Sequence, residues 1–93
     1  MAMLDATSPR TATQVASIAT AVDGVRLVEK VLVRKSGAGY HLGMHLQLDP
    51  NLSLRSAHAL AGKVKATLRH EMPRLTGILI HVEPFEQPHS SEA

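Results

Sequence analysis

The stretch YHLGMHLQLDP, residues 40–50, decides the fold, because its apolar and polar side chains alternate. Apolar residues occupy every even position from Tyr40 to Leu48, and this period of two predicts a strand with one buried face. The opposite face carries the polar side chains of the stretch: His41, His45, Gln47 and Asp49. Pro50 then ends the strand.

A second stretch, GILIHVEP at residues 77–84, alternates in the same way and places His81 and Glu83 on its more polar side. Imidazoles and a carboxylate on one sheet face, in a chain without cysteine, are donors that suit a divalent transition metal. A metal site containing His45, His81 and Glu83 is therefore the first functional hypothesis. The alternative is that these histidines are ordinary surface side chains, which is the commoner fate of a single histidine.

The segments on either side of these strands predict the remaining elements. Ser8 and Pro9 are an N-cap and a first helical residue, and apolar spacing predicts a helix over about residues 9–22. The β-branched segment 25–35 predicts a strand, with Val25, Leu27, Val31 and Val33 on one side and Glu29 interrupting that side. The sequence SGAG at residues 36–39 predicts the tight turn of an antiparallel hairpin.

Ser53 is the predicted cap of a longer helix that ends before Pro73, and residues 76–83 are the third strand. The apolar stripe of this helix comprises Leu54, Ala57, Ala61, Val64 and Leu68, and His58 lies at its edge. A crossover helix makes the second and third strands parallel, with both helices on one face of the sheet. The predicted fold is an α+β, ferredoxin-like αββαβ sandwich of two layers with a three-stranded sheet.

The order of the strands within this sheet is left open by the sequence. If the second and third strands are neighbours, His45 and His81 come within range of a shared ligand. If the first strand lies between them, only the strand ends meet.

Length and composition bound the classes of function. The chain has 93 residues, 44% of them hydrophobic, only two aromatic residues (Tyr40 and Phe85), and no cysteine. A domain with so small a hydrophobic core is expected to gain part of its stability from a partner subunit or a bound ion. The lack of cysteine excludes disulfides and thiolate chemistry, and no apolar run is long enough to cross a bilayer, so a soluble, cytoplasmic domain is expected.

A net charge of +2 is a mild excess, spread along the chain without a run of like charges. Aromatic platforms for stacking bases are missing, so no nucleic-acid partner is expected. Neither a phosphate-binding glycine loop nor a nucleophile elbow occurs, which argues against an enzyme. Residues 9–84 are expected to form the domain, between a flexible lead at 1–8 and a flexible tail at 85–93.

The stretches VRLVEKVLVRKSGAGYHLGMHLQLDPNLSLRSAHALAGKVKATL (25–68) and LTGILIHVEP (75–84) resemble the cytoplasmic C-terminal domain of the cation diffusion facilitator transporters. The SG turn, the GMHLQLDPNLSL run, the SAHALAGKV helix start and the terminal HVEP occur in the order typical of that family. The resemblance implies a metallochaperone-like αββαβ fold, a V-shaped homodimer beneath a transmembrane transporter domain, and regulation of transport by bound metal.

The same resemblance implies a ligand set. The family's histidine of the second strand falls on His45, its helix histidine on His58, and its final histidine and acid on His81 and Glu83. Some members have a further histidine where this chain has Glu29, whose oxygen is a harder donor. The implied metal is Zn²⁺ or another divalent ion such as Mn²⁺, Fe²⁺, Co²⁺ or Cd²⁺.

Two alternatives accompany this interpretation. The chain is either an excised domain of a transporter or a natural standalone metal-binding paralogue, and the start at residues 1–5 favours excision. In a different class, it is a ferredoxin-like module that binds another ligand or a nucleic acid, and its histidines are incidental.

Overall fold

A computed structural model describes residues 9–86 of the chain. The elements are α1 (Pro9–Thr20), β1 (Val25–Ser36), β2 (Gly39–Leu48), α2 (Leu54–Glu71) and β3 (Leu75–Pro84). This is the predicted αββαβ order. The predicted flexible lead, residues 1–8, and residues 87–93 of the predicted tail lie outside the described residues.

Local chemistry sets the ends of both helices. The Ser53 hydroxyl accepts a hydrogen bond from the Ser56 backbone N–H at 3.0 Å, which caps α2 as expected. α1 ends at Thr20, two residues earlier than predicted, and the chain then turns through Gly24, whose φ of 101° is left-handed. Within residues 9–86, no helix combines the length and apolar character needed to span a membrane.

The sheet has the strand order β1-β2-β3, so β2 is its central strand. β2 pairs antiparallel with β1 through the short hairpin and parallel with β3 across α2. The predicted three-stranded α+β sandwich is therefore confirmed. The open question of strand order is also answered, because β2 and β3 are direct neighbours along their whole length.

The core lies between the helices and one face of the sheet. Its fully buried residues include Met44 and Leu46 of β2 and Val64 and Leu68 of α2. They come from the even positions of β2 and from the stripe of α2, as the alternation and the helical period predict. Leu54, the first residue of the predicted stripe, is instead 87% exposed.

The predicted strict alternation of β1 is wrong. The pairing with β2 shifts between Val25 and Leu27 and again between Glu29 and Leu32, where Lys30 adopts a φ of 55°. Such an irregularity adds a residue to one strand and reverses which side chains face the core. As a result Leu27 and Glu29 lie on the open face of the sheet, and Val33 is buried on the other.

Candidate metal centre

Strand register places the candidate ligands on the face of the sheet that the helices leave open. His45 of β2 is paired with His81 of β3 on one side and with Glu29 of β1 on the other. Gln47, two residues along β2, is paired with Glu83 of β3. Because paired residues point to the same face, the three strands present these side chains together.

The centre of this group is formed by His45, His81 and Glu83. The two imidazole rings have centroids 5.0 Å apart and are tilted by 42°. The Nδ1 atom of His45 lies 2.6 Å from Oε2 of Glu83. The His45 side chain is 26% exposed and that of Glu83 is 35% exposed, so this pair is half-buried yet open to solvent.

The contact with Glu83 determines which nitrogen of His45 can bind a ligand. An ionised carboxylate only accepts hydrogen bonds, so Nδ1 of His45 must be the donor. In the neutral ring the lone pair is then on Nε2. A carboxylate that holds a histidine in this way is a common arrangement around protein-bound metals, because it fixes the tautomer and the ring orientation.

A second polar contact joins Glu29 to the group. Nε2 of Gln47 donates a hydrogen bond to Oε2 of Glu29 at 2.9 Å.

The hydrogen bond from His45 lowers the pKa of Glu83 below its ordinary value of 4.5, against the opposing effect of desolvation. The positive charge of Lys30 and a hydrogen bond from Gln47 lower this pKa further.

The candidate residues are not all brought together. His58 is exposed on α2, where it lines a groove of about 390 Å³ with Leu79, Ile80 and Val82 at the outer edge of β3. Within residues 9–86, no group of three His, Asp or Glu side chains converges as a ready metal site. The two imidazoles and the carboxylate fit a borderline divalent metal by their chemistry, but one chain offers fewer than the four donors of a closed tetrahedral site.

Gln47 and Lys30 are the two members of the group that the sequence did not single out for this role. The alternation of β2 correctly predicted the face on which Gln47 lies, but it did not predict the hydrogen bond of Gln47 to Glu29. The position of Lys30 depends on the irregularity of β1, for which the sequence gives no clear signal.

Comparisons with known proteins give a consistent result. Residues 8–85 match the family model described as "Cation efflux protein, cytoplasmic domain". A probable cation efflux system protein of Mycobacterium tuberculosis is 34% identical over 84 residues, which cover 90% of this chain and 25% of that protein. The chain thus spans about a quarter of the length of that relative.

Solved structures of MamM CTD share the fold. A MamM CTD variant described as a nickel form aligns with a TM-score of 0.80 at 23% identity, covering 85% of this chain and 100% of the other. A variant described as a cadmium form aligns with a TM-score of 0.79 at 23% identity, covering 84% and 98%.

Proposed function

The chain belongs to the cation efflux protein family as its cytoplasmic dimerisation domain, and we propose that it binds divalent metal ions on its open sheet face and regulates an attached transporter. The family is one of transporters and not of enzymes, in agreement with the expectation from sequence. The proposal places the metal on ring nitrogens of His45 and His81 and gives Glu83 the role of holding His45 in the binding orientation, with Glu29 and His58 as auxiliary ligands.

The observation that carries the proposal is the pairing of His45 with His81 across two parallel strands. Their rings lie 5.0 Å apart, and the Glu83 carboxylate already orients one of them. Side chains on adjacent strands are held by the sheet itself, so the donors need little reorganisation before a metal binds. Zn²⁺ suits this set because it accepts histidine nitrogen and carboxylate oxygen.

A second copy of the chain would complete the site. The donors of one chain leave coordination positions for water or for a residue of a facing protomer. The open face also exposes Leu32 and Leu79, at 44% and 61%, around Gly43, and these apolar side chains favour coverage by a partner. A homodimer accounts for both features, and the exposed His58 is a donor that one protomer can offer to another.

Metal choice follows from the donor chemistry. Nitrogen and oxygen donors without thiolate accept Zn²⁺, Mn²⁺, Fe²⁺, Co²⁺ and Cd²⁺. The nickel and cadmium forms of MamM CTD support a divalent transition metal as the ligand of this fold. If one arrangement of the dimer binds metal more tightly, metal increases its population in proportion to that difference in affinity, and this shift is the proposed signal to the transporter.

The proposal is tested by calorimetric titration with Zn²⁺. We expect His45→Ala and His81→Ala to weaken binding by at least about tenfold, and Glu83→Ala to weaken it by about 10–100-fold, as for other carboxylates that orient a metal-bound histidine. The matched control is His70→Ala, which removes an exposed histidine at the end of α2. Variants that keep the wild-type circular dichroism and wild-type Zn²⁺ affinity would refute the site.

The auxiliary ligands are tested in the same titration. His58→Ala should weaken binding only where two protomers share the metal, so its effect should disappear at protein concentrations that favour the monomer. Glu29→Gln keeps the size of the side chain and removes its charge, and it should weaken binding less than Glu83→Ala does. A larger effect of Glu29→Gln would exchange the roles of the two carboxylates.

A further inference from the structure

Half of the Lys and Arg residues of the chain gather at one end of the fold. We call this the basic end, and it comprises Arg10, Arg34, Lys35, Arg69 and Arg74. These residues are far apart in sequence, which is why the chain has no run of basic residues. α1 begins here, the β1–β2 hairpin turns here, and α2 ends here just before β3 begins.

Contacts between the elements establish this grouping. The Tyr40 backbone N–H donates to the carbonyl oxygen of Arg74 at 2.8 Å, which joins the start of β2 to the loop before β3. A cavity of about 410 Å³ is lined by Thr11 and Gln14 of α1 together with Tyr40, Glu71 and Arg74. The first turn of α1 and the last turn of α2 are therefore neighbours at this end.

The basic end is poor in acidic side chains. All five of its basic side chains are exposed, and Glu71 is the single carboxylate of the described residues among them. Across residues 9–86, none of the five forms a salt bridge. The acids of the opposite end, Asp23, Asp49 and Glu86, lie beyond the other ends of the strands. The domain thus has a charge asymmetry that its net charge of +2 conceals.

Two of the cations are held in place by Tyr40. The Lys35 ammonium lies 5.7 Å from the centre of the Tyr40 ring and the Arg74 guanidinium lies 5.4 Å from it. Arg74 also donates to the carbonyl oxygen of Ala38 at 3.4 Å. Because its ring is already occupied by two cations, Tyr40 is poorly available for stacking on a nucleic-acid base.

We propose that the basic end binds the anionic phosphate headgroups of the membrane surface. This inference rests on the proposed function, since it takes the domain to be attached to a membrane transporter, where a bilayer surface is always close. Each Lys or Arg near an anionic bilayer strengthens binding by about fivefold, so five of them give roughly a three-thousandfold preference over a neutral surface. The contact would fix the orientation of the domain beneath the bilayer.

The test is co-sedimentation of the chain with vesicles in the presence of a chelator. Vesicles of phosphatidylcholine with phosphatidylglycerol should bind the chain, and vesicles of phosphatidylcholine alone should not. Lys35→Gln combined with Arg74→Gln should weaken binding by about 25-fold. Since Arg74 supports the hairpin, the pair Arg34→Gln and Arg69→Gln provides a second variant with the same loss of charge and a similar expected effect.

The matched control is Arg26→Gln with Arg55→Gln, which removes two exposed charges outside the basic end. Arg26 is eight strand residues, about 26 Å, from Arg34 along β1. Arg55 lies about 20 Å from Arg69 along the helix, beyond the Debye length at physiological ionic strength. This control should weaken binding by less than about twofold. Inorganic phosphate should displace the chain no better than chloride at equal ionic strength.

Several results would overturn the proposal. These are equal binding to neutral vesicles, a control pair as damaging as the pairs at the basic end, or selective displacement by inorganic phosphate. Tighter binding of duplex DNA than of anionic vesicles at the same ionic strength would assign the basic end to nucleic acid instead. Since the vesicle assay is free of metal and alters none of the proposed ligands, its failure is distinct from failure of the Zn²⁺ titration.

Discussion

Replacing Gly39 by alanine should destabilise the domain, whereas the same replacement at Gly43 in the same strand should stabilise it slightly. A Cβ atom at Gly39 would lie 2.6 Å from the side chain of Thr76 and 2.8 Å from the backbone carbonyl oxygen of Arg74. That carbonyl accepts the hydrogen bond from Tyr40 that begins the contact between β2 and the β3 side of the sheet. A Cβ atom at Gly43 meets nothing within 4 Å.

Comparison of Gly39→Ala with Gly43→Ala isolates the steric contribution to the change in the free energy of unfolding. Alanine reduces the conformational entropy of the unfolded chain at both positions, which stabilises by about 0.4–1 kcal/mol. Overpacking costs typically about 1–3 kcal/mol, and a backbone atom yields less readily than a flexible side chain. The two variants should therefore differ by about 1–3 kcal/mol, a large share of the roughly 4–12 kcal/mol expected for a domain of this size.

Urea unfolding followed by circular dichroism measures this difference. With both variants at the same protein concentration, the midpoint of Gly39→Ala should lie roughly 1 M below that of Gly43→Ala. Gly39→Ala should also weaken Zn²⁺ binding, because it disturbs the β2–β3 register that pairs His45 with His81. Equal midpoints, or a lower midpoint for Gly43→Ala, would refute the close contact at the start of β2.

Three further predictions concern the core, the Glu83 carboxylate and assembly. Leu46→Ala removes a fully buried side chain of β2 and should lower the free energy of unfolding, measured with urea, by about 2.7–5.0 kcal/mol. Leu54→Ala changes an exposed position and should lower it by less than about 0.5 kcal/mol. Similar losses in the two variants would contradict the assignment of Leu46 to the core and of Leu54 to the surface. Because folding lowers the pKa of Glu83, its contribution to stability is present above pH 4.5 and disappears as the pH falls through the folded pKa. The advantage of the wild type over Glu83→Gln should therefore shrink in urea unfolding below about pH 4.5, and an advantage that grows there would have the wrong sign. Sedimentation over a hundredfold range of concentration should reveal a homodimer, and a monomer of 10.0 kDa throughout would contradict it.

The alternation of β2 is the part of the fold that sequence predicts best. Every even residue from Leu42 to Leu48 is buried, as a period of two requires when one face packs on helices. The helix between β2 and β3 likewise predicted their parallel pairing. The order of the strands could not be predicted from local sequence patterns, because it depends on the relative free energies of the alternative strand pairings in the complete sheet.

The candidate site, like the fold, was only partly predictable from the sequence. Alternation placed His45, His81 and Glu83 on the open face, but only the register shows that His45 lies beside His81 and that Glu83 contacts its Nδ1 atom. Glu29 reaches the group through the irregular pairing of β1, against its predicted place on the apolar side. The basic end could not be predicted from the sequence, because its residues come from four separate segments that only the tertiary structure brings together.

The most direct test of the proposed metal centre is NMR of the histidine ring nitrogens during titration with Zn²⁺. We expect metal-induced shifts at Nε2 of His45 and at one ring nitrogen of His81, while Nδ1 of His45 keeps its proton and its bond to Glu83. The exposed rings of His41 and His70 serve as internal references and should not change. Shifts at His41 or His70 with none at His45 and His81 would contradict the account.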